Sequence, residues 1–208
     1  PSTFTMKNVW MRYPEEGFED SPIQLMIRWA QYPSQHSHLE ALGILRFKPT
    51  HVVVTRGLWD LKNRVPRTPS FALRDFPPLF TNLREQFGKD TRIVYMSMPH
   101  VFTSSEGCQL IQGDHACAVQ HDQEVFRSAF YCAIRRANTA GANVEHFNIA
   151  TLTLKAGVQG TKKHTKAAHD CVHMERPILR TAILSLVELF RSKPQHAPPL
   201  PATCPLLA

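Results

Sequence analysis

The chain has 208 residues, of which 43% are apolar and 20% are charged, an ordinary balance for a globular protein with one sizeable core. Uninterrupted apolar runs of about 18 residues, which would predict a membrane span, do not occur in the sequence. The formal net charge is +7, but lysine and arginine are scattered along the chain rather than clustered. Composition therefore does not point to nucleic acid as a partner.

The first quarter of the chain predicts two strands and a helix. Residues 3–13 and 23–32 both mix aromatic, β-branched and alternating polar residues, and a turn-rich stretch separates them. Residues 34–47 follow with leucines at helical spacing. Ser37 and Glu40 stand there as in a capping box, which predicts the start of a helix.

Buried strands and helices alternate in the next part. Residues 50–57 contain three successive valines, which is typical of a strand buried on both faces. A short helix over 78–88 and a second buried strand over 91–99 follow. The clearest helix stops near Gly141 and has apolar side chains at helical spacing. These side chains are Phe126, Ala129, Phe130, Ala133, Ile134 and Ala137.

The last third predicts a strand over 142–154, a loop over 155–172 and a helix from Pro177 to about Arg191. Strand and helix thus alternate, which predicts an α/β fold with a mainly parallel sheet covered by helices in three layers. We expect a single domain over residues 1–192. Residues 193–208 are rich in proline and predict a disordered tail.

Candidate functional residues lie in predicted loops at the carboxyl ends of the strands, where open α/β sheets bind ligands. One loop contains Gly57, Trp59 and Asp60, and another contains Asp170 and His173. A carboxylate three residues from an imidazole can hold it in one tautomer, so that its other nitrogen takes a proton from a nucleophilic hydroxyl. The alternative is that Asp170 caps a helix and His173 is an ordinary surface residue.

The order of these features resembles the SGNH (GDSL-type) hydrolase superfamily, in particular its PC-esterase branch. The likeness covers residues 23–191 and consists of a valine-rich strand with "TRGLWDL", two further strands, and "HDCVHM" before a closing apolar helix. It implies that Asp170 is the orienting acid and His173 the general base. It also implies that Gly57, Trp59 and Asp60 form the oxyanion-hole turn. A Trp replaces the superfamily's Asn there, which leaves transition-state stabilisation to backbone N–H groups or another residue.

The nucleophile is where the sequence departs from the superfamily. No Gly-Asp-Ser motif occurs, and the nearest stretch, "EDSP" with Ser21, lacks both the glycine and an apolar strand leading into it. Since the sequence begins with Pro1 rather than Met, we expect an N-terminally truncated domain whose serine block lies upstream. A pseudoenzyme that keeps the fold without the nucleophile is the other interpretation.

The resemblance implies a serine esterase or O-acyltransferase that acts on acyl esters of glycans, acetyl esters among them, or on small esters. It implies no cofactor, no nucleic acid, and a Golgi or secreted location. The alternative is a non-catalytic carbohydrate-binding or interaction domain on the same fold.

Cysteine and histidine raise two further questions. Two groups of histidine and cysteine residues could suggest a metal site, but neither has a standard zinc spacing, so no metal is predicted. Separately, Cys108 and Cys117 flank a short polar loop and could form a disulfide in an oxidising compartment. The two groups are His164, His169, Cys171 and His173, and His115, Cys117 and His121.

Overall fold

The computed structural model describes the backbone of six segments: 9–13, 23–27, 49–55, 69–102, 115–163 and 169–194. Side chains are described over 49–55, 72–102, 123–163 and 173–194. The chain divides into two compact units, Pro1–Phe47 and Lys48–Ala208. A single domain over 1–192 stays a prediction. The helix predicted over 34–47 and the tail beyond residue 194 lie outside the described residues.

The first unit contains an antiparallel pair of strands, β1 (Val9–Tyr13) and β2 (Ile23–Ile27). Val9 pairs with Ile27 at one end, and Tyr13 pairs with Ile23 at the other. Both strands fall inside the runs that the alternation of apolar and polar residues predicts. The two predicted strands of this region are therefore confirmed.

The second unit contains a parallel sheet of three strands, which confirms the α/β class. The central strand is β4, with β3 and β5 on either side. Helix α1 connects β3 to β4, and helix α2 connects β4 to β5. In chain order these elements are β3 (His51–Thr55), α1 (Pro69–Phe87), β4 (Arg92–Met96), α2 (His115–Thr139) and β5 (Val144–Phe147).

A helix, a strand pair and a final helix follow β5. The strand pair is antiparallel and runs directly into the last helix. The elements are α3 (Ile149–Ala156), a 3-10 turn (Val158–Gly160), β6 (Thr161–Lys163), β7 (His169–Met174) and α4 (Arg176–Arg191). The last helix is thus confirmed within one residue of its predicted start.

An aromatic core joins α1 and α2 to one face of the sheet. Tyr95 of β4 stacks on Phe130 of α2 with ring centroids 5.5 Å apart, and it meets Phe80 of α1 edge-on at 6.2 Å. Phe76 of α1 contacts Phe130 at 4.5 Å in a T-shaped arrangement. All four rings are fully buried. Such pairs add to the hydrophobic stabilisation of their buried area.

The end of α4 contacts the opposite face of the sheet. Arg92 lies three residues before Tyr95 on β4, and an odd separation on a strand puts two side chains on opposite faces. Its guanidinium forms a bidentate ion pair with Glu145 of β5, with N–O distances of 2.8 and 2.6 Å. Its remaining nitrogen donates to the carbonyl oxygens of Phe190 and Ser192 at 2.7 and 2.9 Å. The ring of His51 on β3 lies 4.3 Å from that of Phe190.

Two element boundaries differ from the sequence-based prediction. Helix α1 begins at Pro69 rather than residue 78 and contains Pro77 and Pro78 in its interior. Prolines there remove backbone hydrogen bonds, but the helix keeps a continuous buried stripe. That stripe consists of Ala72, Leu73, Phe76, Leu79, Phe80 and Leu83. Its burial outweighs the lost bonds.

The prediction of a strand over 142–154 is also wrong for the second half of that range. The strand ends at Phe147, and the side chain of Asn148 accepts a hydrogen bond from the Thr151 N–H at 3.3 Å. This is an N-cap, so helix α3 begins where the β-branched residues suggested more strand. The predicted loop over 155–172 likewise contains β6 and the beginning of β7.

Candidate functional site

Hydrogen bonds tie the carboxyl ends of β4 and β5 together. The N–H of Ser97, directly after β4, donates to the carbonyl of Phe147 at 3.0 Å. The Ser97 hydroxyl donates to the side-chain oxygen of Asn148 at 3.3 Å and accepts from the N–H of Ala150 at 3.3 Å. Ser97 is buried and engaged with the start of α3, so its hydroxyl has a structural role at this rim.

The segment that leaves β4 is held by two helices. The His100 N–H donates to the hydroxyl of Thr153 on α3 at 2.8 Å. The side chain of Gln123 on α2 accepts from the Val101 N–H at 3.1 Å and donates to the Val101 carbonyl at 3.0 Å. Gln123 is itself buried, and so is Phe102 at the end of the segment. The Ser97–Phe102 segment is therefore held by both helices, and it forms a wall at this rim of the sheet.

His100 is part of this wall. It is buried, and its ring meets Phe102 edge-on at 4.8 Å. Its Nδ1 lies 3.4 Å from a guanidinium nitrogen of Arg127, which also pairs with Glu124 at 3.0 Å. A guanidinium only donates, so this contact favours the tautomer with the proton on Nε2. Burial lowers the pKa of Arg127, and Glu124 partly offsets that effect.

The strand that contains the predicted acid and base ends against this wall. Asp170 and His173 both belong to β7, and the His173 side chain is exposed. Met174, the next residue, packs with Phe102 in a small apolar cluster that also includes Val158 and Ile178. The end of β7 thus lies beside the segment that leaves the carboxyl end of β4.

Side chains three apart on a regular strand lie on opposite faces, which would separate Asp170 from His173. Strand β7 is not regular. Thr161 pairs with Met174 and Lys163 with His169, so two residue steps on β6 face five on β7. Extra residues in one strand bend it and re-aim its side chains, as in a β-bulge. The relative orientation of Asp170 and His173 therefore depends on this irregular stretch, and the side chain of Asp170 is not among those described.

The predicted oxyanion-hole turn, Gly57, Trp59 and Asp60, lies outside the described residues. The strand before it is described: β3 ends at Thr55, which pairs with Met96, the last residue of β4. The carboxyl ends of β3 and β4 are therefore level, at the rim where the Ser97–Phe102 segment begins.

The remaining predictions concern metals, membranes and cysteines. Among the side chains that the structure describes, no group of three or more His, Cys, Asp or Glu is arranged to hold a metal ion. In the same part of the chain, no helix combines the length and the apolar character that crossing a bilayer requires. The Cys108–Cys117 disulfide lies outside the described side chains. A disulfide at Cys132 is present, which sequence reasoning did not anticipate.

Comparison with known proteins adds no family assignment. No protein-family model matches the chain, and no curated protein matches it. The candidate site therefore rests on the residues of this chain alone.

Proposed function

We propose that this chain contributes the acid and the base of an SGNH-type serine esterase or O-acyltransferase that acts on acyl esters of glycans. The observation that carries the proposal is the packing of Met174 against Phe102. It brings the strand with Asp170 and His173 to the exit of β4, and α/β sheets bind ligands at the carboxyl ends of their strands. Helices on both faces of a parallel sheet further support a three-layer hydrolase architecture.

In this mechanism a serine hydroxyl attacks the acyl carbonyl while His173 takes the hydroxyl proton. Asp170 holds the imidazole in the required tautomer and stabilises the imidazolium that forms. The tetrahedral intermediate collapses to an acyl-enzyme, and His173 gives its proton to the leaving alcohol. Water or an acceptor hydroxyl then attacks the acyl-enzyme, which yields hydrolysis or transfer respectively.

The oxyanion hole of this site would rely on backbone N–H groups of the turn at Gly57. Trp59 stands where the superfamily has an asparagine, so one side-chain donor is missing. Removing a single oxyanion-hole donor from a hydrolase costs roughly 10²–10³ in kcat. We therefore expect a slow enzyme.

The test is covalent labelling of the full-length protein with a fluorophosphonate probe, which reacts with activated serines. We expect one labelled serine, which peptide mass spectrometry would identify as the nucleophile. His173→Ala should slow labelling roughly 10²–10⁴-fold, the usual contribution of a general base. Labelling that survives this substitution at full rate would remove His173 from the mechanism.

Lys163→Ala is the matched control. Lys163 is exposed on β6, the strand paired with β7, so its truncation perturbs the same surface without removing the proposed base. Labelling should remain at the wild-type rate. An equal loss in both variants would indicate that the strand pair, rather than the imidazole, is what the probe reaction requires.

A second candidate is a non-catalytic carbohydrate-binding or interaction domain. The observation that favours it is the lack of a Gly-Asp-Ser motif anywhere in the 208 residues. This candidate predicts no fluorophosphonate labelling together with measurable binding of an acetylated oligosaccharide by calorimetry. His173→Ala would leave that binding intact unless the imidazole contacts the sugar.

A further inference from the structure

Helix α2 has a buried polar side chain at a position where its apolar stripe would continue. Residues three, four and seven apart share one side of a helix, so Gln123 lines up with Phe126 and Phe130, whose rings are fully buried. Gln123 itself is 2% exposed. A buried amide destabilises the fold unless its polar atoms form hydrogen bonds. The groups that Gln123 bonds to therefore indicate its role.

Both polar atoms of the Gln123 amide bond to a single residue, Val101. The amide oxygen accepts from the Val101 N–H at 3.1 Å, and the amide nitrogen donates to the Val101 carbonyl at 3.0 Å. A side-chain amide presents an acceptor and a donor side by side, so it can satisfy both backbone groups of one residue at once. Val101 is 1% exposed, so losing these bonds would leave its backbone groups in a place that water does not reach. Gln123 thereby fixes the backbone at Val101.

The next residue, Phe102, provides the surface on which β7 packs. Phe102 and Met174 are 3% and 4% exposed, and they form the cluster that Val158 and Ile178 complete. On β6, Thr161 pairs with Met174. Met174 is therefore held both by its strand partner and by the ring of Phe102.

The position of Met174 decides where the imidazole of His173 lies. The two residues are neighbours on β7, and successive side chains of a strand point to opposite faces. Accordingly Met174 is buried while His173 is exposed. A shift of Met174 would move the backbone that both residues share. Misplacing a catalytic group by about 1 Å can lower a rate about 10²-fold.

We propose that Gln123 is a positioning residue for His173. It fixes the backbone of Val101 and so places the ring of Phe102, against which Met174 packs. The inference rests on the proposed function only in treating His173 as the base. The position of the imidazole can be measured whether or not the protein is an esterase.

Asn138, near the other end of α2, provides a matched control. Its amide oxygen accepts from the Val144 N–H at 2.6 Å, and its amide nitrogen donates to the Val144 carbonyl at 2.8 Å. This is the same pair of bonds to one backbone residue, but it lies where α2 leads into β5. Gln123→Met and Asn138→Leu each remove such a pair with little change in side-chain volume. Only the first acts on the segment beside β7.

The first measurement is NMR spectroscopy of the full chain with isotope-labelled histidine, in which His173→Ala assigns the imidazole resonances of His173. Gln123→Met should shift these resonances, because the imidazole moves relative to its surroundings. Asn138→Leu should leave them in place. Unchanged His173 resonances in Gln123→Met, or an equal shift in Asn138→Leu, would overturn the proposal.

The second measurement is the rate of fluorophosphonate labelling against probe concentration. Gln123→Met should lower the maximal rate by up to about 10²-fold without changing the half-saturating concentration, since the base is misplaced and the probe still binds. Asn138→Leu should keep the wild-type rate. Full-rate labelling of Gln123→Met would overturn the proposal. If the wild-type protein is not labelled at all, the esterase proposal fails, and the His173 resonances still decide this inference.

Two variants of Phe102 take the place of Gln123→Met if that variant does not fold. Phe102→Ala removes the surface on which Met174 packs and should shift the His173 resonances. Phe102→Leu keeps an apolar contact and should return them toward their wild-type positions. Wild-type resonances in both variants would show that this contact does not position His173.

Discussion

The two faces of the parallel sheet are covered in different ways. On one face, rings from α1 and α2 enclose Tyr95 in a fully buried cluster. On the other face, Ala182 is the one buried residue of α4. Leu179, Ile183 and Leu184 on that helix are 42%, 61% and 52% exposed. The first face is held by apolar burial, which is proportional to area. The second has less apolar burial, and hydrogen bonds from Arg92 hold the end of α4.

This difference bears on the candidate site, because β7 runs into α4 through the single residue Glu175. At its first turn α4 is held by Ile178 in the cluster with Met174, and at its last turn by Arg92. Sub-regions with few buried apolar contacts open more readily than the core does. The strand with the proposed base is therefore attached to the less firmly held half of the unit. The following predictions test that contrast.

The largest effect is expected for Phe130→Ala. This ring contacts Phe76, Tyr95 and Phe126 in the buried cluster. Removing a buried aromatic side chain leaves a cavity, and such changes cost about 3–5 kcal/mol in the free energy of unfolding. Urea denaturation followed by circular dichroism measures the loss. The matched control is Phe190→Ala on α4, where the ring is half-buried and the loss should be less than half as large. Equal losses would contradict the contrast between the faces.

The second effect concerns the ion pair that holds the end of α4. Glu145 is 2% exposed and the Arg92 side chain 14% exposed, so Glu145→Ala leaves a buried guanidinium without its carboxylate. Breaking a buried pair in this way costs about 3 kcal/mol or more. Hydrogen exchange should also quicken at the last turn of α4, since Arg92 bonds to the Phe190 carbonyl.

The double variant Arg92→Met with Glu145→Leu separates charge from packing. Replacing a buried pair with apolar residues of similar volume is often neutral for stability. We therefore expect the double variant to regain most of the stability that Glu145→Ala loses. The faster exchange at the end of α4 should remain, because methionine donates no bond to the Ser192 carbonyl. Restored exchange protection would show that α4 does not depend on these bonds.

The sequence was sufficient for the elements whose pattern comes from burial. The apolar stripe of α2 and the closing helix were predictable because each has the period of a helix. The valine run predicted the strand β3 but not its burial: we expected a strand buried on both faces, and Val53 is 38% exposed. Prediction failed at α1, where Pro77 and Pro78 suggested a boundary that burial overrides. It failed again at α3, where Asn148 was not recognised as a cap. At α1, burial of the apolar stripe outweighed the two prolines. At α3, the cap formed by Asn148 outweighed the β-branched residues that favour a strand.

The candidate site was less predictable, because its parts meet through long-range contacts. Thr153 and Gln123, from two different helices, bind the backbone of the segment at His100. Nothing in the local sequence marks Thr153 as the acceptor of a backbone bond 53 residues away. The contact between Phe102 and Met174 is equally non-local.

A smaller effect is expected for the pH dependence of stability. His146 lies between Tyr95 and Tyr131, with ring centroids 5.9 and 5.6 Å apart, and burial lowers its pKa from the ordinary 6.5. The unfolded chain thus binds the proton more readily, so the folded state loses stability as pH falls through about 6.5. His146→Gln should reduce this slope in denaturation curves between pH 7 and 5. His51 keeps part of the slope, because burial and then Arg92 lower its pKa as well.

The smallest effect is expected for Ile183→Ala, and it tests the exposed side of α4 directly. Surface substitutions away from special features usually change the free energy of unfolding by no more than about 0.5 kcal/mol. Ile183 is 61% exposed, so its loss should fall within that range in urea denaturation. The neighbouring Ala182→Leu is the matched comparison. Ala182 is 5% exposed, and forcing a larger side chain into a packed position costs about 1–3 kcal/mol. A loss above ~1 kcal/mol for Ile183→Ala would mean that this side of α4 is covered in solution, and the two faces of the sheet would then be alike.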